Sequence, residues 1–198
     1  MDDEPGAAPT ASPAPHDDAA LVAQMLGRDP MGAWDVVVRR PSGAPVVIRN
    51  EPLLYDGTPM PTRYWLVDPG LRTRVSHLEA AGGVREADQT VDPDELDAAH
   101  EAYALERDAA LAPDHVGPAP HGGIGGTRTG VKCLHAHLAY YLAGGDDPVG
   151  RWVAERLAPV PEGPDGFDDT AGFDDAVGFD PDGSDDTDGF DPLLGDTR

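Results

Sequence analysis

The chain of 198 residues has almost no cysteine, few basic residues and no long apolar run, and each of these absences excludes a class of protein. It holds a single cysteine, Cys133, which excludes an internal disulfide framework and favours a reducing compartment. No apolar run approaches the roughly 20 residues that span a bilayer. The acidic, Pro- and Ala-rich N-terminus lacks the basic and apolar regions of a secretory signal. These absences predict a cytoplasmic protein without membrane insertion.

Basic residues are also scarce, because 14 Lys and Arg face 37 Asp and Glu, for a net charge of −23. Contacts with a nucleic-acid backbone need clustered Lys and Arg, so we expect no nucleic-acid partner. The excess acid lies at the two ends: residues 1–18 carry five acids and no base, and residues 161–198 carry thirteen acids and one base. The middle of the chain is left with a charge of −6, which is ordinary for a folded domain.

Composition divides the chain into three parts. Residues 1–16 have the Pro, Ala and acid bias of a disordered segment. Residues 17–158 alternate apolar runs with turn signals, which predicts a single folded domain. Residues 159–198 repeat Gly-Phe-Asp in an acidic, Gly-rich background. So few aromatic residues cannot bury enough surface to order that segment, and we predict a disordered tail.

The domain opens with a helix and then short β-strands. Asp17 or Asp18 can cap a helix that ends near Gly27. The β-branched runs "WDVVVRR" and "PVVIRN", joined by "PSGA", predict a hairpin, and "TRYWLV" at 62–67 is expected to add a third strand.

Helix signals dominate the second half of the domain. Asp68, Asp92 and Asp147 each stand directly before a proline, the pattern of a capping acid followed by a first-turn proline. A further helix is predicted over 131–143, after a loop of about twenty residues, a length that is usually functional or disordered. The order of elements predicts an α+β fold, in which four to five helices cover a small antiparallel sheet of about three strands, between disordered acidic tails.

Two stretches of the domain carry a family resemblance. "GTPMPTRYWLVDPGLRTRVSHLEAAGGV" and "GGIGGTRTGVKCLHAHLAYYLAGGDDPVG" resemble a bacterial family known as domain of unknown function 501, over residues 18–157. The resemblance implies a small cytoplasmic domain of bacteria for which no activity is established. It also implies a frequent gene neighbourhood with a septum-formation initiator, which is an association without a mechanism. The two tails depart from the family pattern.

The Gly-rich segment before the predicted helix at 131 is the candidate ligand site. A glycine-rich loop that leads into a helix exposes backbone amides and the positive end of the helix dipole to an anion. A Walker loop needs Lys directly after its second Gly, and here Val131 intervenes between Gly130 and Lys132. A generic site for a phosphate-containing or other anionic ligand remains, and the alternative is a surface loop whose cations balance nearby acids. The candidate residues are Gly125, Gly126, Thr127, Arg128, Thr129 and Lys132.

Cys133, His135 and His137 suggest a metal site, since thiolate and imidazole are zinc ligands. If 131–143 is helical, at about 100° per residue, Cys133 and His137 share one face and His135 lies almost opposite. Cys133 and His137 are then a candidate catalytic thiol–imidazole pair, or two zinc ligands completed by His121. The alternative is a buried, unreactive cysteine, with His135 as a hydrogen-bonded residue at the margin of the apolar stripe. Glu79, near the end of its helix, is interpreted as solvated.

Three hypotheses follow for the function. The leading one is a non-enzymatic binding or regulatory protein, without a cofactor, whose Gly-rich loop accepts an anion. The first alternative is a Cys/His-dependent enzyme or a zinc-binding protein. The second makes the acidic tail a scaffold that binds a protein partner in cell-division or envelope assemblies, with its repeats acting as several weak attachment points.

Overall fold

The computed structural model describes residues 18–157. The predicted domain, residues 17–158, extends one residue beyond this range at each end, so its bounds remain a prediction. The tails predicted as disordered, residues 1–16 and 159–198, lie outside the described residues, and so does the scaffold hypothesis that depends on the second of them.

Three strands and six α-helices form the described part of the chain, which confirms the α+β fold. Helix α3 is additional to the predicted elements. Its apolar side chains are only Val84 and Ala87, which are too few to predict a helix from apolar spacing alone. In chain order the elements are α1 Asp18–Leu26, β1 Gly32–Arg39, β2 Pro45–Leu54, β3 Tyr64–Leu66, α2 Pro69–Ala80, α3 Gly83–Thr90, α4 Pro93–Ala109, a short 3-10 turn Ile124–Gly126, α5 Leu134–Leu142 and α6 Pro148–Arg156.

The three predicted Asp-Pro helix starts are confirmed. The carboxylate of Asp68 accepts a hydrogen bond from the backbone of the first turn of α2, and those of Asp92 and Asp147 each accept two at α4 and α6. Helix α5 differs, because the residue at its N-cap position, Cys133, makes no capping hydrogen bond with its side chain. Because Leu134 at the start of α5 is buried, its uncapped first-turn amides need an acceptor from elsewhere in the fold.

The sheet is antiparallel with the strand order β1-β2-β3, so β1 and β3 are its edges. The predicted hairpin joins β1 and β2, and the third strand pairs with β2 through Val47–Leu66, Ile48–Trp65 and Arg49–Tyr64. The β1–β2 register slips at three points along β1, whereas the short β3 pairs regularly.

Helices cover both faces of the sheet. On one face, Val22 of α1 packs with Ile48 and with Val67, which directly follows β3. On the other, Val47, Tyr64 and further core residues pack against α2 to α6. No described helix combines the length and apolarity needed to cross a membrane.

Helix α4 connects the sheet to the Gly-rich loop. Its buried polar and aromatic residues His100, Tyr103 and Arg107 follow one another at helical spacing on one face. The Tyr103 hydroxyl donates to the carbonyl of Pro61 at 3.0 Å and accepts the backbone N–H of Arg63 at 2.6 Å, just before β3. Tyr103 therefore holds the segment just before β3. On the same face of α4, His100 and Arg107 hold the Gly-rich loop that precedes α5.

Candidate functional site

Helix α5 begins at Leu134, three residues later than the predicted start at 131. Cys133 has an extended backbone, with φ −151° and ψ 118°, and the N–H of Val131 is held by Asp88 Oδ1 at 3.0 Å instead of belonging to a helix. The helical wheel that placed Cys133 beside His137 therefore does not apply, and that predicted arrangement is wrong. The side chain of Cys133 contacts His135 instead.

Cys133, His135 and Glu79 form one cluster at the junction of α2 and α5. The Sγ atom of Cys133 lies 3.8 Å from His135 Nδ1, and the same Nδ1 lies 3.3 Å from Glu79 Oε1. One potential ligand atom from each of the three residues lies within 4.8 Å of the others. Within residues 18–157 this is the one group of three such side chains close enough to share a metal ion. We call it the Glu79–Cys133–His135 cluster.

Helix α2 orients the imidazole of the cluster. His135 Nε2 lies 3.1 Å from the carbonyl oxygen of Arg72 and 3.3 Å from Ser76 Oγ. A carbonyl oxygen only accepts, so Nε2 carries a proton and donates it to Arg72. The second ring nitrogen, Nδ1, is left facing Glu79 and Cys133.

Glu79 supplies the cap that α5 lacks. Its Oε1 atom accepts the N–H of Leu134 at 2.7 Å, which places a carboxylate at the positive end of the helix. The interpretation of Glu79 as solvated is therefore incomplete, because only about a quarter of its side chain is exposed (27%). No local sequence pattern predicts this role, because α2 and α5 are far apart in the sequence.

The contacts within the cluster shift the pKa values of His135 and Glu79. Burial works to lower the pKa of His135, but the contacts with Cys133 and Glu79 outweigh it and raise that pKa to about 10. Burial likewise works to raise the pKa of Glu79, yet the interaction with His135 holds it below its ordinary value. An imidazolium beside a carboxylate is therefore the favoured state of the cluster alone, and a metal ion would have to displace its proton.

His137 and His121 are not part of the cluster. His137 is fully buried, and its Nδ1 donates to the equally buried Asp147 Oδ2 at 2.8 Å. Its Nε2 has no hydrogen-bond partner among the described residues. His121 lies on the exposed loop, where it lines a shallow groove beside α4 together with His100 and Arg128. The structure therefore separates both residues from the thiol with which they were expected to bind zinc.

The Gly-rich loop is folded largely on its own backbone. The N–H of Gly126 donates to Gly123 O at 3.0 Å, and the Thr127 hydroxyl donates to Thr129 O at 2.8 Å. At the loop end and the start of α5, the chain's own carboxylates Asp88 and Glu79 accept the amides of Val131 and Leu134, positions that an anion was expected to occupy. The predicted anion site therefore depends mainly on the side chains of Arg128 and Lys132.

Comparison with known proteins supports the family resemblance. A family model described as "Protein of unknown function (DUF501)" matches residues 36–155, which is more than half of the chain. The matched range runs from β1 into α6 and contains all three residues of the cluster. No curated protein and no solved structure matches the chain.

Proposed function

Because the chain belongs to the DUF501 family of proteins of unknown function, we propose a function from the geometry of its site. We infer that the protein binds a divalent transition-metal ion, with zinc as the best fit, through the Glu79–Cys133–His135 cluster. The observation that carries this proposal is the convergence of one sulfur, one nitrogen and one oxygen atom within 4.8 Å of one another.

The distances within the cluster suit a tetrahedral ion. Zinc binds sulfur at about 2.3 Å and nitrogen or oxygen at about 2.0–2.1 Å, which separates neighbouring ligand atoms by about 3.3–3.6 Å. The distances from His135 Nδ1 are 3.8 Å to Cys133 Sγ and 3.3 Å to Glu79 Oε1. Small side-chain rotations are therefore enough to seat the ion.

The surroundings of the cluster also fit a metal ligand set. A metal-bound histidine usually donates its other N–H to a carbonyl or carboxylate, as His135 does to Arg72. Glu79 is oriented by the N–H of Leu134. Three protein ligands leave a fourth position for water or another molecule, which is the pattern of a reactive zinc site, whereas structural sites supply four protein ligands. A reduced thiol suits the cytoplasm, which we propose as the location of the protein.

A thiol-nucleophile enzyme fits the same residues less well. In a nucleophile–histidine–carboxylate triad, one ring nitrogen serves the nucleophile and the other is held by the carboxylate. Here Cys133 and Glu79 both face Nδ1 of His135, while Nε2 donates to the backbone of Arg72. Donor atoms that converge on one point favour metal binding over nucleophilic catalysis.

Zinc binding is tested with the metal-stripped, tag-free full-length chain in equilibrium dialysis against Zn²⁺, followed by elemental analysis. We expect one zinc ion per chain. Each of Cys133→Ser, His135→Gln and Glu79→Gln should weaken binding by at least about 10- to 100-fold, since each alters a ligand and loss of even a ligand's hydrogen-bond partner has an effect of that size. Glutamine at 79 keeps an oxygen for the Leu134 amide, so α5 should remain capped.

The matched control is His77→Gln, which removes an exposed histidine of the same helix α2 and should leave the affinity unchanged. With Co²⁺ as a spectroscopic probe, the thiolate-to-cobalt absorption should be present in the wild type and in His77→Gln and absent in Cys133→Ser. Less than stoichiometric zinc in the wild type, or wild-type affinity in all three cluster variants, would rule out this site.

An anion-binding loop is the second candidate, and the side chains of Arg128 and Lys132 favour it. Within residues 18–157 neither makes a hydrogen bond or an ion pair, although acids are abundant. If inorganic phosphate binds there, a concentration ten times its Kd should raise the Tm by roughly 3–6 °C. Arg128→Ala should remove most of that rise. The same rise with sodium chloride at equal ionic strength, or an undiminished rise in the variant, contradicts the site.

A further inference from the structure

One histidine of α4 bridges the two ends of the Gly-rich turn. His100 Nδ1 accepts the backbone N–H of Ile124 at 3.0 Å, and its Nε2 lies 3.1 Å from the carbonyl oxygen of Gly130. Two turns further along α4, Arg107 donates to the carbonyl of Gly122 at 2.6 Å. The loop is thus tied to α4 at three backbone groups by two buried side chains.

The loop is shaped to lie directly on this imidazole. A Cβ atom at Gly123 would lie 2.6 Å from both Cβ and Cγ of His100, which is too close for any side chain. Ile124, the next residue, is fully buried. The glycine at 123 is therefore explained by the approach of the protein's own histidine, with no external ligand needed.

The hydrogen bonds define the protonation state that closes the loop. A ring nitrogen can accept the N–H of Ile124 only if it carries no proton, so Nδ1 must be bare while Nε2–H donates to Gly130. A second proton on Nδ1 would point an N–H at the N–H of Ile124. The hydrogen bond would then be lost and replaced by a repulsive contact between two donors.

The environment of His100 opposes that second proton. Burial lowers the pKa of His100 below its ordinary value of 6.5, the hydrogen bond to Gly130 works in the other direction, and the nearby ring of His137 lowers it again. Asp147 and Asp97 raise it. The other titratable or charged groups that line the groove over His100 are Glu101, Arg107, Asp108, His121 and Arg128.

We propose that His100 is a pH-dependent latch, which closes the Gly-rich loop on α4 when neutral and releases it when doubly protonated. Protonation frees the Ile124 amide, whereas Nε2–H can still donate to the Gly130 carbonyl, so the loop opens from its Ile124 end. The segment between Ile124 and Gly130 carries Arg128, so the latch controls the position of that cation in the groove beside α4. The latch does not involve the Glu79–Cys133–His135 cluster and is independent of the proposed metal binding.

The same logic gives the sign of the effect on stability. Because the folded chain binds the His100 proton more weakly than the unfolded chain does, the unfolded chain takes it up first as the pH falls below the ordinary value of 6.5. The contribution of His100 to stability is therefore fully present at higher pH and declines from there down to the lower pKa of the folded state.

Amide hydrogen exchange measured by NMR on the full-length protein tests the latch. The intrinsic exchange rate divided by the observed rate at each pH gives a protection factor free of the chemical pH effect. Between about pH 7.5 and about pH 5, we expect the protection factor of Ile124 to fall about tenfold or more, and by a larger factor than that of Val153 in the core of α6, which follows only the loss of global stability. His100→Gln can offer an amide oxygen and an N–H in place of the two ring nitrogens, but it does not titrate. Its Ile124 protection should be independent of pH.

A second measurement decides the question even if His100→Gln does not fold. Side-chain ¹⁵N spectra of the wild type should show His100 as the neutral Nε2–H form near neutral pH. The midpoint at which it gains its second proton should coincide with the loss of Ile124 protection. Protonation of His100 without loss of Ile124 protection, loss of protection while His100 stays neutral, or an equal loss in a folded His100→Gln protein would each overturn the latch.

Discussion

Replacing Asp147 by alanine should destabilise the folded domain by about 3–5 kcal/mol, because the substitution leaves His137 buried without its partner. Both side chains are fully buried, and Asp147 Oδ2 accepts from His137 Nδ1 at 2.8 Å. The other carboxylate oxygen accepts the N–H groups of Val149 and Gly150 at the start of α6. One carboxylate thus serves two helices, and its removal harms both. Urea unfolding followed by circular dichroism measures the loss.

Two variants separate the components of this effect. Asp92→Ala removes a matching Asp-Pro cap from α4, but Asp92 is exposed and has no buried partner, so its loss should cost about 1 kcal/mol. Asp147→Asn keeps an oxygen for the cap but cannot also present a charged acceptor to His137, so an intermediate loss is expected. If Asp147→Ala costs no more than Asp92→Ala, the buried pair with His137 does not stabilise the fold. Should Asp147→Ala be unfolded, the comparison of Asp147→Asn with Asp92→Ala still measures the pair.

Replacing Gly150 by alanine should cost about 3 kcal/mol, the upper part of the range for overpacking a well-filled core. A Cβ atom at this position would lie 2.6 Å from the carbonyl oxygen of His137 and closer still to Cβ of Tyr141. Neither atom is the end of a flexible side chain, so α5 and α6 would have to move apart. The gain in helix propensity from glycine to alanine, about 1 kcal/mol, does not offset that separation. The free energy of unfolding from denaturant titration is the measurement.

Gly70→Ala is the matched control for this substitution. Gly70 lies in the first turn of α2, and its nearest neighbour to an added Cβ would be Asp68 Oδ1 at 3.4 Å, an ordinary contact. Alanine there should be neutral or stabilise by up to about 1 kcal/mol. Wild-type stability in Gly150→Ala would mean that α5 and α6 do not approach each other as closely as the structure shows.

The parts of the fold that depend on adjacent residues were readable from the sequence. Asp68, Asp92 and Asp147 before proline predicted three helix starts, because a cap acts on amides two or three residues away. The start of α5 was misplaced for the opposite reason. Its cap comes from Glu79 on another helix, and no local pattern in the sequence reports a contact of that kind.

The candidate site likewise combines features that neighbouring residues predict with features that depend on contacts between distant elements. Cys133 and His135 stand two residues apart and both are possible ligands by residue type, but the helical wheel separates them and pairs Cys133 with His137, because it assumes a helix where the backbone of Cys133 is extended. That single conformational difference brings His135 to the thiol and leaves His137 to Asp147. His100 could have been noticed, since it lies on the buried face of α4 with Leu96 and Tyr103. Its bonds to Ile124 and Gly130 depend on how the loop folds back, which spacing alone does not show.

The two edge strands of the sheet are the positions at which another copy of the protein could add a β-strand at high protein concentration. A strand from another molecule adds most readily to a long, regular row of unpaired backbone groups. At one edge β3 offers only Tyr64–Leu66, and at the other the register of β1 slips at three points and the strand carries Asp35 and Arg39. Neither edge is a good template for cross-β growth, so the short third strand and the irregular first strand act together as protection against aggregation.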